Sequence, residues 1–172
     1  MTSQVWPLGY FREAEVRSAD LLQQLLRRTD DPELQIDLTR QLADEARHIQ
    51  LLSELILELG GPLTSSRKGY RHHLHRKAGI PSTILGLLAL TQVVEERVQQ
   101  RYCAYVQRSG EDPRILETLH TIAADEGWHL IGIKDCLGKL EKMAGRTRVA
   151  ATLDYYRRLE AKAYMELIAF PP

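Results

Sequence analysis

Long apolar runs and cysteines are both scarce in this chain of 172 residues. No apolar stretch approaches the roughly 20 residues that a membrane-spanning helix needs. The first residues also lack a basic segment followed by an apolar one, as a secretion signal would have. Cys103 and Cys136 are the only cysteines, too few for a disulfide framework or a four-thiolate zinc site. We therefore expect a cytoplasmic protein without a membrane partner.

An excess of charge of either sign is also absent. Lys and Arg number 23, Asp and Glu number 23, and the formal net charge is zero, which excludes a global attraction to nucleic acid or anionic membrane. Hydrophobic residues make up 44% and charged residues 27% of the chain, which is typical of a globular protein. The length predicts a single domain over residues 1–172.

Apolar and polar residues do not alternate with the period of two that is typical of a β-strand. Instead, apolar residues three and four positions apart recur almost throughout the chain. This pattern predicts an all-α protein. Asp31-Pro32 and Asp112-Pro113 each read as an N-cap followed by proline at the first helical position. We predict five helices, at about 8–28, 32–59, 82–108, 113–142 and 148–168.

The lengths of the connections predict how these helices are arranged. Short loops would join the first two helices into one antiparallel hairpin, 8–59, and the next two into a second, 82–142. The long segment 60–81 would cross from one end of a four-helix bundle to the other. A fifth helix, 148–168, would cap the bundle or pack in a dimer.

A repeated pair of residues gives the sequence its chemical interest. Glu45 and His48 lie three residues apart, and Glu126 and His129 repeat that spacing 81 residues later. Residues three apart share one helix face, and both pairs lie within the apolar stripe. A carboxylate in a buried stripe is costly unless it is paired or binds a metal.

The partner helices are each expected to supply one further carboxylate. In the first helix Glu15 fits the apolar stripe better than Glu13. In the third helix the stripe favours Glu95, whereas the repeat distance favours Glu96, and we choose Glu95. The resulting set combines one Glu from each of two helices with a Glu-x-x-His pair from each of the other two, the pattern of di-metal carboxylate bundles. The predicted metal ligands are Glu15, Glu45, His48, Glu95, Glu126 and His129.

Charge favours two divalent ions at such a site, because four carboxylates would nearly neutralise them. Carboxylate and imidazole ligands suit iron, and manganese or zinc can compete for them. Asp44 and Asp125 precede the two ligand glutamates. Each could accept the free N–H of a ligand histidine from the other helix, or simply lie on a solvated helix face.

These motifs resemble the ferritin-like superfamily of di-iron carboxylate proteins, over about residues 8–142. The segment 94–102, Val-Glu-Glu-Arg-Val-Gln-Gln-Arg-Tyr, and the run Glu45-Ala46-Arg47-His48 resemble the tRNA-modifying hydroxylases of that superfamily. The second copy departs from the pattern, since Gly127-Trp128 stands where an arginine is expected. A rubredoxin domain like that of a rubrerythrin needs two Cys-x-x-Cys pairs, and this sequence contains none.

The resemblance implies a ferritin-like bundle with two iron ions that activates dioxygen or peroxide. An oxidoreductase or oxygenase would need an organic substrate and an electron donor, whereas a ferroxidase or peroxide scavenger would need no organic substrate. A non-catalytic helical binding module is the third alternative. Tyr102 lies on the face of Glu95 and is either a redox-active phenol or a core residue. We expect a homodimer.

A basic stretch without acidic residues lies in the connection 60–81. Such a stretch is either a solvated loop or a contact for an anion or RNA, because Lys and Arg neutralise phosphates. Its cationic residues are Arg67, Lys68, Arg71, Arg76 and Lys77.

Overall fold

The computed structural model of the chain describes residues 5–63, 70–107 and 112–169. Within these ranges the chain is helical and forms no strand, so the prediction of an all-α protein is confirmed. The helices are α1 Val5–Leu26, α2 Pro32–Glu58, α3 Tyr70–Ala78, α4 Ile84–Val106, α5 Pro113–Ala144 and α6 Arg146–Ala169.

The two Asp-Pro steps begin helices as the sequence predicts. The Asp31 carboxylate accepts the backbone N–H groups of Glu33 and Leu34, and Pro32 takes the first position of α2. The Asp112 carboxylate accepts the N–H of Arg114 at the start of α5. Each cap satisfies N–H groups that have no partner within the helix. Both capping predictions are confirmed.

Helix α3 corrects the prediction of five helices, because it lies inside the segment 60–81 that the sequence predicts as a connection. It has only nine residues, and among those whose side chains are described, Tyr70 and Leu74 are buried. So short a helix is marginal in isolation, and here packing against neighbouring helices stabilises it. Two buried positions among the seven side chains of α3 that the structure describes are too few to give a clear periodic signal.

Contacts between side chains define how the first two helices pack. Arg12 Nε donates to Ser53 Oγ at 2.7 Å, and one turn further along α1, Glu15 meets His48 at 3.0 Å. Increasing numbers on α1 thus meet decreasing numbers on α2, so the two helices run in opposite directions. This pairing brings the middle of α1 beside the Glu-x-x-His pair of α2.

Helices α4 and α5 also run in opposite directions. Gln99 of α4 lies beside Gly127 of α5, since a Cβ atom added at Gly127 would be 3.8 Å from Gln99 Nε2. Earlier on α4 and later on α5, Leu88 and Cys136 line one cavity. Helix α1 also packs on α4, and α2 on α5, while α6 contacts α3, α4 and α5. The described helices therefore form a bundle around a largely aliphatic core.

A helix that crosses a bilayer must be long and mostly apolar. None of the described helices combines the length and the apolar character that crossing a bilayer demands.

Candidate metal centre

The six predicted ligands come together in the middle of the bundle. Glu45 and His48 of α2 face Glu126 and His129 of α5, because the three-residue spacing places each pair on one face of its helix. Glu15 comes from α1 and Glu95 from α4. All six side chains are at most 2% exposed. The helical stripe that predicts Glu15 and Glu95 thus selects residues that the bundle buries beside the two repeated pairs.

Two groups of possible ligand atoms overlap in this cluster. One group contains Glu15, Glu45, His48 and Glu126. The other contains Glu45, Glu95, Glu126 and His129. Within each group, one ligand atom from every residue lies within 4.8 Å of the others. Glu45 and Glu126 belong to both groups and would be shared by the two sites if each group held an ion, and each group has one histidine of its own.

The inner nitrogen of each histidine faces carboxylates. His48 Nδ1 lies 3.0 Å from Glu15 Oε2 and 3.1 Å from Glu126 Oε1. His129 Nδ1 lies 3.2 Å from Glu45 Oε1 and 3.6 Å from Glu126 Oε2. The two imidazole centroids are 5.9 Å apart. Both histidines therefore present Nδ1 to the same small space between the helices.

The outer nitrogens meet the two aspartates across the α2–α5 interface. His48 Nε2 lies 3.0 Å from Asp125 Oδ2, and His129 Nε2 lies 3.4 Å from Asp44 Oδ2. A carboxylate at Nε2 favours the proton on that nitrogen and leaves Nδ1 free to bind a cation. Of the two interpretations of these aspartates, the contact with a histidine of the other helix is thus the one that the geometry supports.

Arg47 joins the two aspartates, a contact that the sequence analysis missed. Its Nη2 donates to Asp125 Oδ2 at 2.6 Å and to Asp44 Oδ1 at 3.3 Å. The sequence does contain a signal for this contact. Arg47 comes directly before His48, and the second copy of the motif has no arginine at the corresponding position. Arg47 therefore holds both outer carboxylates from one side.

Ser18 is a second residue that the sequence analysis did not assign to the site. It is buried one turn after Glu15 on α1, and its hydroxyl donates a hydrogen bond to Glu95, which favours the charged form of that carboxyl. The apolar stripe of α1 contains Ser18, so a polar residue on that stripe was the available signal. Ser18 links α1 to α4 at the level of the cluster.

Burial and mutual repulsion control the protons of the cluster. Burial raises the pKa values of Glu45 and Glu95 well above the ordinary value, and neighbouring carboxylates raise them further. For Glu126 the histidine contacts outweigh the effect of burial and lower its pKa. For His48 the contacts with Glu126 and Glu15 outweigh burial and raise its pKa to about 10. The metal-free cluster thus reduces its charge by retaining protons.

Several buried atoms of the cluster lack hydrogen bonds. Within the described part of the chain, no well-directed hydrogen bond reaches either carboxylate oxygen of Glu45 or of Glu126, Glu95 Oε1 or His129 Nδ1, although His129 Nδ1 lies 3.2 Å from Glu45 Oε1 and His48 Nδ1 lies 3.1 Å from Glu126 Oε1. Buried polar atoms are normally satisfied, because leaving them without a partner costs free energy. A divalent cation between these atoms would satisfy several of them at once, so the donor set fits a metal.

Tyr102, predicted as either a redox-active phenol or a core residue, lies against this cluster. Its hydroxyl donates a hydrogen bond to Glu15 Oε1, and its ring stacks on Phe11 with the centroids 4.3 Å apart. Burial raises its pKa well above the ordinary value, and the nearby charge of Glu15 adds to the effect. The phenol is thus protonated at neutral pH and bonded to a candidate ligand.

The alternative carboxylates Glu13 and Glu96 lie outside both groups. Glu96 is half-buried and accepts hydrogen bonds from Gln92 Nε2, at 2.7 Å, and from Arg157 on α6. The structure therefore brings Glu95, and not Glu96, into the cluster.

The basic stretch is described only in part. Arg67 and Lys68 lie outside the described residues, and so does the side chain of Arg71. Arg76 and Lys77 both contact Glu166 of α6, at 2.6 and 2.5 Å. These two cations are thus neutralised by an acid that is remote in sequence, which a scan for local acidic residues does not detect.

No family model matches the chain, and neither the curated proteins nor the solved structures yield a match.

Proposed function

We propose that the chain is a ferritin-like di-metal carboxylate protein that activates dioxygen or peroxide. In this proposal α1, α2, α4 and α5 are a four-helix bundle of two antiparallel hairpins, α3 belongs to the crossover, and α6 is the additional C-terminal helix. The observation that carries the proposal is the pair of overlapping ligand groups that share Glu45 and Glu126. Paired glutamates with two histidines at these positions are the ligand set of di-iron and di-manganese bundles.

The contacts of this chain support specific roles for its residues. Glu45 and Glu126 would bridge two ions, and His48 and His129 would each bind one ion through Nδ1. Glu15 would complete the site of His48, and Glu95 the site of His129. Asp125 and Asp44 keep the protons of the imidazoles on Nε2 and so orient the rings.

Iron is the metal that this proposal assigns. Iron held by these residues would supply the electrons that reduce dioxygen or peroxide, and the protein would hold, orient and shield the metal. The cluster is almost completely buried, which keeps bulk water away and strengthens electrostatic interactions within it. An oxygenase or another oxidoreductase acting on an organic substrate is the activity that we favour.

The proposal is tested by anaerobic reconstitution with Fe²⁺, followed by elemental analysis and by measurement of oxygen consumption. We expect about two iron ions per chain, as in di-iron bundles, and iron-dependent oxygen consumption. The variant Glu45→Ala/Glu126→Ala is expected to lose both. The matched control is Glu54→Gln/Glu117→Gln, which changes exposed glutamates on the same two helices.

Three results would argue against the proposal. A wild-type chain that retains no metal would contradict the di-metal site. Equal metal content in the double variant and in its control would show that the metal binds elsewhere. Repeated oxidation of many Fe²⁺ ions per chain without an organic substrate would favour iron handling over an oxygenase.

A further inference from the structure

Helix α5 presents an apolar face to solvent on the side turned away from the candidate metal centre. Trp128 and Ile131 lie one turn apart on this face and are 74% and 53% exposed. An exposed tryptophan beside an aliphatic residue is typical of the centre of a protein interface, where aromatic side chains are enriched. A small molecule would need a concave site, whereas this face is the convex surface of one helix. The face therefore fits another protein surface better than a small ligand.

Gly138, two turns after Ile131, has no packing reason within its own chain. A Cβ atom added at Gly138 would meet no other atom within 4 Å, whereas one added at Gly132 would lie 2.9 Å from Gln41 Nε2. Glycine inside a helix lowers the stability of that helix relative to alanine, and a common reason for retaining it is the close approach of another backbone. No described helix of this chain approaches Gly138, so the space beside it is open to a second chain.

Opposite charges lie at the two ends of the same face. Glu117 and Lys142 are both exposed, and within the described residues neither side chain forms an ion pair. They are 25 residues apart, or about 38 Å along the helix at 1.5 Å per residue, so they cannot meet within one chain. In a second copy that runs antiparallel, each end of the face would meet the opposite charge.

We propose that two copies of the chain associate through these faces of α5, packed antiparallel about a two-fold axis that passes between the levels of residues 129 and 130. Trp128 then packs against Ile131 of the second copy on both sides of the axis. Glu117 faces Lys142 of the second copy at each end. A two-fold interface must be self-complementary, and this face meets that condition because its apolar pair is central and its terminal charges are opposite.

The remaining positions of the face suit the same register. Thr121 lies opposite Gly138 of the second copy, where the absent side chain leaves room for the threonine. Ala124 lies opposite Asp135 of the second copy, and the short alanine side chain leaves that carboxylate at the solvated edge. All four residues are exposed, so no buried contact of the bundle has to break when the dimer forms.

The interface is tested by sedimentation velocity of the full chain over a range of micromolar concentrations. We expect a reversible equilibrium between monomer and dimer. Trp128→Lys should weaken the association at least about 30-fold, because a central tryptophan is the kind of residue on which binding depends most. The matched control is Met165→Lys, which places the same charge at an apolar position of α6 that is 59% exposed. It should leave the dimer unchanged, whereas a dimer formed through α6 would be weakened.

An exchange of charges tests the antiparallel register. Glu117→Lys and Lys142→Glu each place like charges opposite one another at both ends, and each should weaken the association about tenfold. The combined variant Glu117→Lys/Lys142→Glu places opposite charges together again and should regain the affinity of the unchanged chain. Because the two residues are too far apart to meet within one chain, only contact between two copies explains such a recovery.

A chain that stays monomeric throughout the micromolar range would overturn the proposal, as would a dimer that Trp128→Lys leaves intact. Failure of the combined variant to regain affinity would overturn the antiparallel register. Circular dichroism shows whether each variant keeps its helices, and the charge exchange stands as a test if Trp128→Lys unfolds. The interface needs no metal, so sedimentation of chelator-treated protein gives a result that is separate from the test of the proposed function.

Discussion

His48 has a different chemical neighbour at each of its two nitrogens. Nδ1 faces Glu15 and Glu126 inside the cluster, and Nε2 meets Asp125 towards the surface. An imidazole surrounded by three carboxylates is best stabilised as a cation when no metal is bound. Protons and metal ions therefore compete for the same place in the molecule, which makes the stability of the metal-free chain dependent on pH.

We predict that the free energy of unfolding of the metal-free chain falls as the pH rises. Contacts raise the pKa of His48 from 6.5 to about 10, so above pH 6.5 the folded state holds a proton that the unfolded state has lost. The slope of stability against pH is then negative, and each unit of difference in pKa corresponds to about 1.4 kcal/mol. The raised pKa values of Glu45 and Glu95 act in the same direction.

This prediction is checked by urea unfolding of chelator-treated protein between pH 6.5 and pH 10, the window set by the two pKa values of His48. His48→Gln should flatten the curve, whereas His120→Gln, which changes an exposed histidine of α5, should leave it unchanged. A stability that is constant or that rises over this range would contradict the prediction.

Among the helices, α6 is attached to the bundle by an ion pair between its buried Glu160 and the half-buried Arg97 of α4. Glu160 is 2% exposed and accepts hydrogen bonds from Arg97 Nε at 2.9 Å and Nη2 at 2.8 Å. Tyr70 of α3 donates to the same carboxylate at 3.3 Å. One side chain of α6 thus connects α3 and α4, which makes this contact more important for α6 than its exposed pairs.

We predict that Glu160→Gln destabilises the chain by about 2 kcal/mol, since it removes the charge of a buried carboxylate that accepts two hydrogen bonds from the half-buried Arg97. The matched variant is Glu96→Gln, which breaks the more exposed pair between Glu96 and Arg157 on the same two helices. Exposed pairs contribute about 1 kcal/mol or less. Chemical unfolding monitored by circular dichroism measures both, and equal effects would contradict the prediction.

The helices differ in how well the sequence predicts them. Helices α2 and α5 have Asp-Pro starts and long apolar stripes, so local signals are sufficient. Helix α3 depends on contacts that the sequence does not reveal, because its cations pair with Glu166, about 90 residues away. The candidate site shows the same division. Spacing within one helix predicts each Glu-x-x-His pair, whereas the contact of Arg47 with Asp125 depends on how closely α2 and α5 pack.

At the scale of the whole molecule, the repeated pairs face each other across the bundle. His48 of the first copy meets Asp125 of the second, and His129 of the second meets Asp44 of the first. The facing surfaces of α2 and α5 are consequently polar and charged at this level, where a bundle would otherwise bury aliphatic side chains. This part of the interface contributes little hydrophobic stabilisation, and bound metal would compensate for that.

We predict that metal stabilises all four helices that carry candidate ligands. At a free metal concentration one hundred times the dissociation constant, binding to the folded state alone adds about 2.7 kcal/mol to the free energy of unfolding. Hydrogen exchange with and without Mn²⁺ should show slower exchange around Glu15, Glu45, Glu95 and Glu126. Glu45→Ala/Glu126→Ala should abolish the effect, and the exposed pair of variants, Glu54→Gln/Glu117→Gln, should retain it. Protection confined to α2 and α5 would contradict a site that spans the bundle, because Glu15 and Glu95 would then contribute nothing to binding.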